Sequence, residues 1–229
     1  MEARNRRRFI DTVSILIEIL IAAAVLVCGA RRMLPFGGLP VLVVMGGVSL
    51  WLRHEGLRGI GLGWRCLTPM TALLGGSFGV VYQAVSLFAL EPLTVRLTGA
   101  RPDLTAFSVI HGNVRLLLLS LASAWTVAAF GEEFVFRGYL LNRIAQWRGG
   151  RRAGLTVGVA LSALLWALGH LYQGVGGVAL IAVHGLTFGL LYVLTSRNLW
   201  MTIVTHGAFD TTAFLLIFLG RYPNMGGAV

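Results

Sequence analysis

The chain has 229 residues, of which 56% are hydrophobic and 12% charged, with a mean hydropathy of +0.79. A water-soluble domain carries roughly twice that charged fraction, so the composition excludes a soluble globular protein and assigns the chain to a bilayer. The formal charge is +10 and every basic residue is Arg. These arginines fall in short clusters between apolar runs, the pattern of topology signals and lipid contacts rather than of a nucleic-acid face.

The first segment, Arg4 to Arg8 followed by Phe9 to Ala30, has the basic start and apolar run of a signal peptide. The run is too long for a secretory core, contains Asp11 and Glu18, and is followed by no small-x-small cleavage site, so it is read as a retained anchor. Val25, Leu26 and Val27 precede Cys28 and lack the small residue that lipoprotein processing requires. Cys28 and Cys66 have no paired metal or redox spacing and are read as packing residues.

A transmembrane helix takes about 20 mostly apolar residues. On that criterion the chain divides into runs near 10–30, 38–53, 68–90, 116–142, 153–172, 176–195 and 199–219. Pro35, Pro69, Pro92 and Pro102 fall at or between run ends, where helices break. The predicted architecture is all-α, a polytopic transmembrane helix bundle of about seven to eight spans, one integral membrane domain over 1–229. The motifs lie in a core of about 116–219, and the helices of 10–110 are less diagnostic. The 30 glycines suit close helix packing in lipid. The stretch 111–121 is ambiguous, and an extra re-entrant segment there would change the span count.

Arginines on alternate sides of seven spans number twelve (the N-terminus, 53–65, 143–152 and 197) against six (31–32, 96–115 and 221). The excess predicts a cytoplasmic N-terminus. Only Arg137 among the nineteen is expected inside a motif helix.

An ionisable side chain within a span costs at least about 2.5 kcal/mol, so each one marks a contact or a function. Beyond the first helix these residues are Glu132, Glu133 and Arg137 in AFGEEFVFRGYL, His170 in LLWALGHLY, His184 in IAVHGLTF, and His206 with Asp210 in TIVTHGAFDTT. Glu133 and Arg137 are four apart, as are His206 and Asp210, so each pair shares a helix face. The first pair reads as a structural ion pair. Glu132 points about 100° away from Glu133 on an α-helix, which makes it the candidate general base for a water molecule. His170 and His206 could supply the donors that a developing oxyanion needs. His184 has no polar neighbour four residues away and is read as a structural hydrogen-bonding residue. Asp11 and Glu18 are read as snorkelling or interhelical contacts. Gly185, Gly189 and Gly207 are expected at close helix contacts.

Glu132, Glu133 and Arg137, continued by Gly-Tyr-Leu-Leu, resemble the Glu-Glu-x-x-x-Arg motif of the intramembrane CAAX-protease and bacteriocin-processing family, also called the ABI family, which includes Rce1-type prenyl proteases. Trp166 to His170 resembles its Phe-x-x-x-His motif with the aromatic ring exchanged, and His206 to Asp210 its His-x-x-x-Asn or Asp motif. The resemblance covers roughly 120–215. It implies an intramembrane endopeptidase in which Glu132 activates water, His170 assists it, His206 and Asp210 shape the oxyanion site, and Glu133 and Arg137 are supports. An ionised Asp210 accepts but cannot donate to an oxyanion, so it is expected to orient His206.

The expected partners are membrane lipid and a membrane-associated polypeptide, lipidated or not, with no nucleic acid, no cofactor and no metal. The Ala-, Gly- and Arg-rich composition points to a prokaryotic cytoplasmic membrane. Two alternatives stay open: a zinc-dependent membrane protease using the same histidines and carboxylate, and a non-catalytic immunity, transport or scaffold protein of the same fold. Span counting also creates a conflict of depth, since His170 falls near the far end of its helix while His206 lies about 10 Å into the last one.

Overall fold

The computed structural model describes residues 2–31, 33–148 and 152–223, with side chains from residue 11 onward apart from Phe36. The side chains of Arg4, Arg6, Arg7 and Arg8, together with Arg32 and Arg151, therefore lie outside the described residues, and with them part of the arginine count.

Among the described residues the helices run as seven continuous rods without strands. These are α1 (Glu2–Ala30), α2 (Leu39–Leu52), α3 (Pro69–Thr98), α4 (Val114–Trp147), α5 (Arg152–Leu168), α6 (Gly174–Leu194) and α7 (Leu199–Phe218). Local chemistry sets their starts. Thr68, Asn113 and Asn198 each accept a hydrogen bond from the amide three residues on, capping α3, α4 and α7. Pro69 follows the first of these caps in the first turn, where its missing N–H costs nothing.

Five of the helical segments are long and apolar enough to cross a membrane, whereas α2 and α5 are shorter apolar helices. The chain is an integral membrane protein. Large apolar side chains such as Leu97 and Leu194 stand exposed along the rods, as expected where lipid replaces water as the surrounding medium. The ambiguous 111–121 stretch separates into a turn at 111–112 and the start of α4 at Val114. Before it, Asp103 in the connection from α3 to α4 accepts from the Thr105 hydroxyl and amide, which hold its carboxyl below the ordinary range.

Glycine lets the rods touch. A Cβ at Gly79 of α3 would lie 2.3 Å from the carbonyl oxygen of Thr205 in α7. At Gly185, Gly189 and Gly207 it would meet Ala163, Val159 and the Trp125 ring at 2.8, 3.0 and 2.6 Å, so all three are close-packing positions as expected. One core joins Leu42, Tyr82, Phe134, Tyr139, Trp166, Phe188, Tyr192 and Leu199 across α2 to α7.

Two expectations are corrected. The middle of α4 is π-helical over Ala124–Glu132 and Phe134–Leu141, so the angle between Glu132 and Glu133 is not that of an α-helix. A π-turn leaves no mark in hydrophobic spacing. Polar side chains meet carbonyls where the helix changes type: Thr126 donates to Ala122 O, and Asn142 Nδ2 to Arg137 O and Gly138 O.

Second, Arg143 and Arg53 are not merely topology charges. Arg143 is 1% exposed and pairs with Glu55 at 2.9 Å and Glu18 at 3.4 Å. Glu18 also accepts from Ser49, Arg53 and Tyr139. Partners so distant in sequence leave no periodic signal. Glu18 is thus the interhelical contact its position suggested, tying α1 to α2 and α4.

Candidate active site

The site is assembled on α4, α7 and the end of α5. Adjacent glutamates of α4 have opposite environments. Glu133 is fully buried, and its Oε1 accepts from Arg137 Nη1 and from His206 Nδ1, both at 2.9 Å. Arg137 is 1% exposed, reaches Gly185 O at 3.4 Å, and lies with its guanidinium carbon 4.3 Å from the Trp166 ring centre, within cation–π range. The expected ion pair within α4 is present, and it extends to α7.

Glu132 is only half-buried. Its Oε2 accepts from the indole Nε1 of Trp166 at 2.5 Å. It lies in the shared wall of two cavities, of about 350 and 400 Å³, together with Val127, Trp166, His170 and Tyr172. The smaller extends among α3, α6 and α7 and also takes in His206 and Asp210. The larger is lined by Leu26, Leu39 and Leu42 from α1 and α2.

His170 lies two residues past the end of α5. Its Nδ1 meets Trp166 O at 2.9 Å. A carbonyl only accepts, so Nδ1 carries the hydrogen, and in the neutral ring Nε2 is left with its lone pair. The structure nevertheless brings the two histidines to one cavity, His170 two residues beyond the end of α5 and His206 seven residues after the start of α7. The Trp166 ring stands 5.5 Å from that of His170 and 5.6 Å from that of His206.

Glu132, His170, His206 and Asp210 thus line one cavity, while Glu133 and Arg137 lie behind it, buried. Asp210 Oδ2 is 3.6 Å from His206 Nε2, outside hydrogen-bonding distance. The partner that fixes the His206 ring is Glu133, across the helix interface. His184 lies on the same cavity and bonds Tyr82 and Ser86, in keeping with its structural reading. Trp166 is the residue whose importance the spacing understated. Its indole N–H, buried among apolar side chains, required a partner, and that requirement pointed to a neighbouring acceptor. Among the described residues no three His, Cys, Asp or Glu side chains gather in an arrangement that could hold a metal ion.

Residues 114–212 match the family model described as Type II CAAX prenyl endopeptidase Rce1-like. This stretch is similar to an Rce1-like domain. It begins at the first residue of α4 and ends two residues beyond Asp210, so it holds all six residues singled out by the motifs. No curated protein and no solved structure matches the chain. The Rce1-like family is one of CAAX-protease-type membrane peptidases, which accords with the resemblance carried by the three motifs. The helices α1 to α3 lie outside the Rce1-like match and contribute the remaining walls of the two cavities.

Proposed function

We propose that the protein is an intramembrane endopeptidase that hydrolyses a peptide bond of a membrane-associated polypeptide with water activated by Glu132. The observation that carries this reading is the division of labour between two adjacent carboxylates. Glu133 is sequestered by Arg137 and His206, whereas Glu132 lies in the wall shared by two cavities with His170 beside it.

In this mechanism Glu132 takes a proton from water and the resulting hydroxide adds to the scissile carbonyl carbon. His170, held by Trp166 O through Nδ1, uses Nε2 to relay a proton to the leaving nitrogen. His206 donates through Nδ1 to Glu133, and its Nε2, when protonated, faces the developing oxyanion in a site where a donor is worth most. Asp210 lies 3.6 Å from that nitrogen on the wall of the same cavity. The C–N bond then breaks to leave a carboxylate and an amine, and Glu133 and Arg137 keep the ring in place. The arginine count supports a cytoplasmic N-terminus, and the composition supports a prokaryotic inner membrane.

Glu132→Gln tests the reading, because it removes the base and keeps the shape. Peptides of the membrane and medium are compared between cells carrying the intact protein and the variant. A polypeptide whose cleavage disappears with the variant, at equal protein level and membrane insertion, is the expected result. Unchanged processing rejects the mechanism and favours a non-catalytic role, and loss of cleavage in excess chelator would favour a zinc enzyme.

A further inference from the structure

Five residues form the wall shared by the two cavities: Val127, Glu132, Trp166, His170 and Tyr172. The indole proton of Trp166 is committed to Glu132 Oε2, and the Nδ1 proton of His170 to Trp166 O. Val127 has no polar hydrogen, and an ionised Glu132 only accepts. The Tyr172 hydroxyl oxygen accepts from Gln173 Nε2 at 3.1 Å, and its single proton has no acceptor among the described residues. Tyr172 is therefore the shared-wall residue with a hydrogen bond still to donate.

The phenol is accessible, and its backbone is held in place. Tyr172 is 53% exposed, and the Gln173 that donates to its hydroxyl also lines the 350 Å³ cavity. Tyr172 lies on the short 3₁₀ turn Leu171–Gln173 that follows α5. That turn is closed by Gln173 N–H donating to His170 O at 2.9 Å, and it is tied to the connection from α3 to α4 by Asp103 N–H donating to Gln173 O at 2.9 Å. The Tyr172 and His170 rings are 5.7 Å apart. One braced turn thus carries both the histidine assigned to proton relay and a phenol two residues on. A hydroxyl without an acceptor in an apolar surrounding is costly until a ligand supplies one.

We infer that Tyr172 is a further catalytic residue, its O–H donating to the oxygen of the scissile carbonyl where the two cavities meet. The inference rests on the hydrolytic reading. Preorganised donors aimed at a developing oxyanion supply much of the acceleration of acyl transfer, and the other donor in this site, His206 Nε2, serves only in the protonated ring. A phenol ordinarily ionises at about pH 10, so it is a donor throughout the neutral range. The proton stays on Tyr172 and is shared with the carbonyl oxygen as hydroxide adds to the carbon. Glu132 holds the proton taken from water, and no additional acid or base is required.

Tyr172→Phe tests the assignment, because it removes the O–H and keeps the ring. The probe is a quenched fluorescent peptide spanning the cleavage site recovered in the Glu132 comparison, assayed with the purified full chain in detergent. The expected result is a fall in kcat of about a hundredfold, the worth of one oxyanion donor, with KM changed by less than about twofold. The thermal unfolding midpoint should stay the same, since a residue 53% exposed loses only one oxygen. A fall in kcat of less than about tenfold, or a loss confined to KM, overturns the assignment, because the phenol then packs or binds without touching the reacting oxygen. Failure of the hydrolytic reading has a different signature. In that case Glu132→Gln leaves the peptides of membrane and medium unchanged and the role of Tyr172 falls with the reading, whereas an inactive Glu132→Gln beside a fully active Tyr172→Phe removes Tyr172 alone.

Discussion

The indole Nε1 of Trp166 donates to Glu132 Oε2 at 2.5 Å, joining the end of α5 to the middle of α4. The same ring contacts His170 and His206 and lies beneath the Arg137 guanidinium. Trp166 therefore orients the carboxylate proposed as base and spaces the two histidines around it.

Trp166→Phe separates these roles, since it keeps an aromatic ring and removes the N–H. His170 bonds the backbone oxygen at 166 and is held in either case. Cleavage of the polypeptide whose processing depends on Glu132 is expected to slow about tenfold, the worth of one hydrogen bond to a charged group. The thermal midpoint in detergent should change little. An unaltered rate would remove the indole from the mechanism.

Glu133→Gln should behave in the opposite way to Glu132→Gln. Glu133 is the charged partner of a guanidinium that is 1% exposed, and removing it leaves that charge buried. The expected cost is about 3 to 5 kcal/mol, read as a lower midpoint of thermal unfolding together with lost activity. Glu132→Gln should lose activity at nearly unchanged stability, because Glu132 is half-buried and no salt bridge to it is recorded among the described residues.

Asp210→Asn discriminates between the two carboxylates beside His206. The 3.6 Å separation from Nε2 makes this a weak ion pair, and the carboxylate side chain is 20% exposed. A rate change of less than about fivefold is expected. A loss as deep as that of Glu132→Gln, measured on the same polypeptide, would show that Asp210 itself sets the His206 ring.

Arg143→Met tests the polar knot that ties the first two helices to α4. Arg143 holds Glu55 and Glu18, and its loss leaves their carboxylates short of a cation at the buried end of the network. A destabilisation of about 3 kcal/mol is expected, measured by unfolding in detergent. Leu at the same position tests whether lost packing contributes separately.

The site was readable in the chain because charge is so scarce in it. With 12% charged residues, an ionisable group inside an apolar run stands out. Glu132, Glu133, His170, His206 and Asp210 were each visible in that way, and four-residue spacing exposed the Glu133–Arg137 pair. The same rule failed at Arg143. It lies at the end of an apolar run, where a topology charge also belongs, and only its partners from α1 and the α2–α3 connection distinguish the two.

By itself the sequence determined that the chain is a helical membrane protein and which residues carry ionisable chemistry inside it, because apolar run length and the cost of intramembrane charge are both local properties. Only the tertiary structure decided which carboxylate faces a cavity and which is locked away. Glu132 and Glu133 are neighbours with the same chemistry, and what separates them is contributed by other helices: the indole of Trp166 on one, the imidazole of His206 on the other. The packing of α5 and α7 against the π-helical stretch of α4 brings these groups together, and neither that packing nor the π-turns is encoded in the spacing of apolar residues.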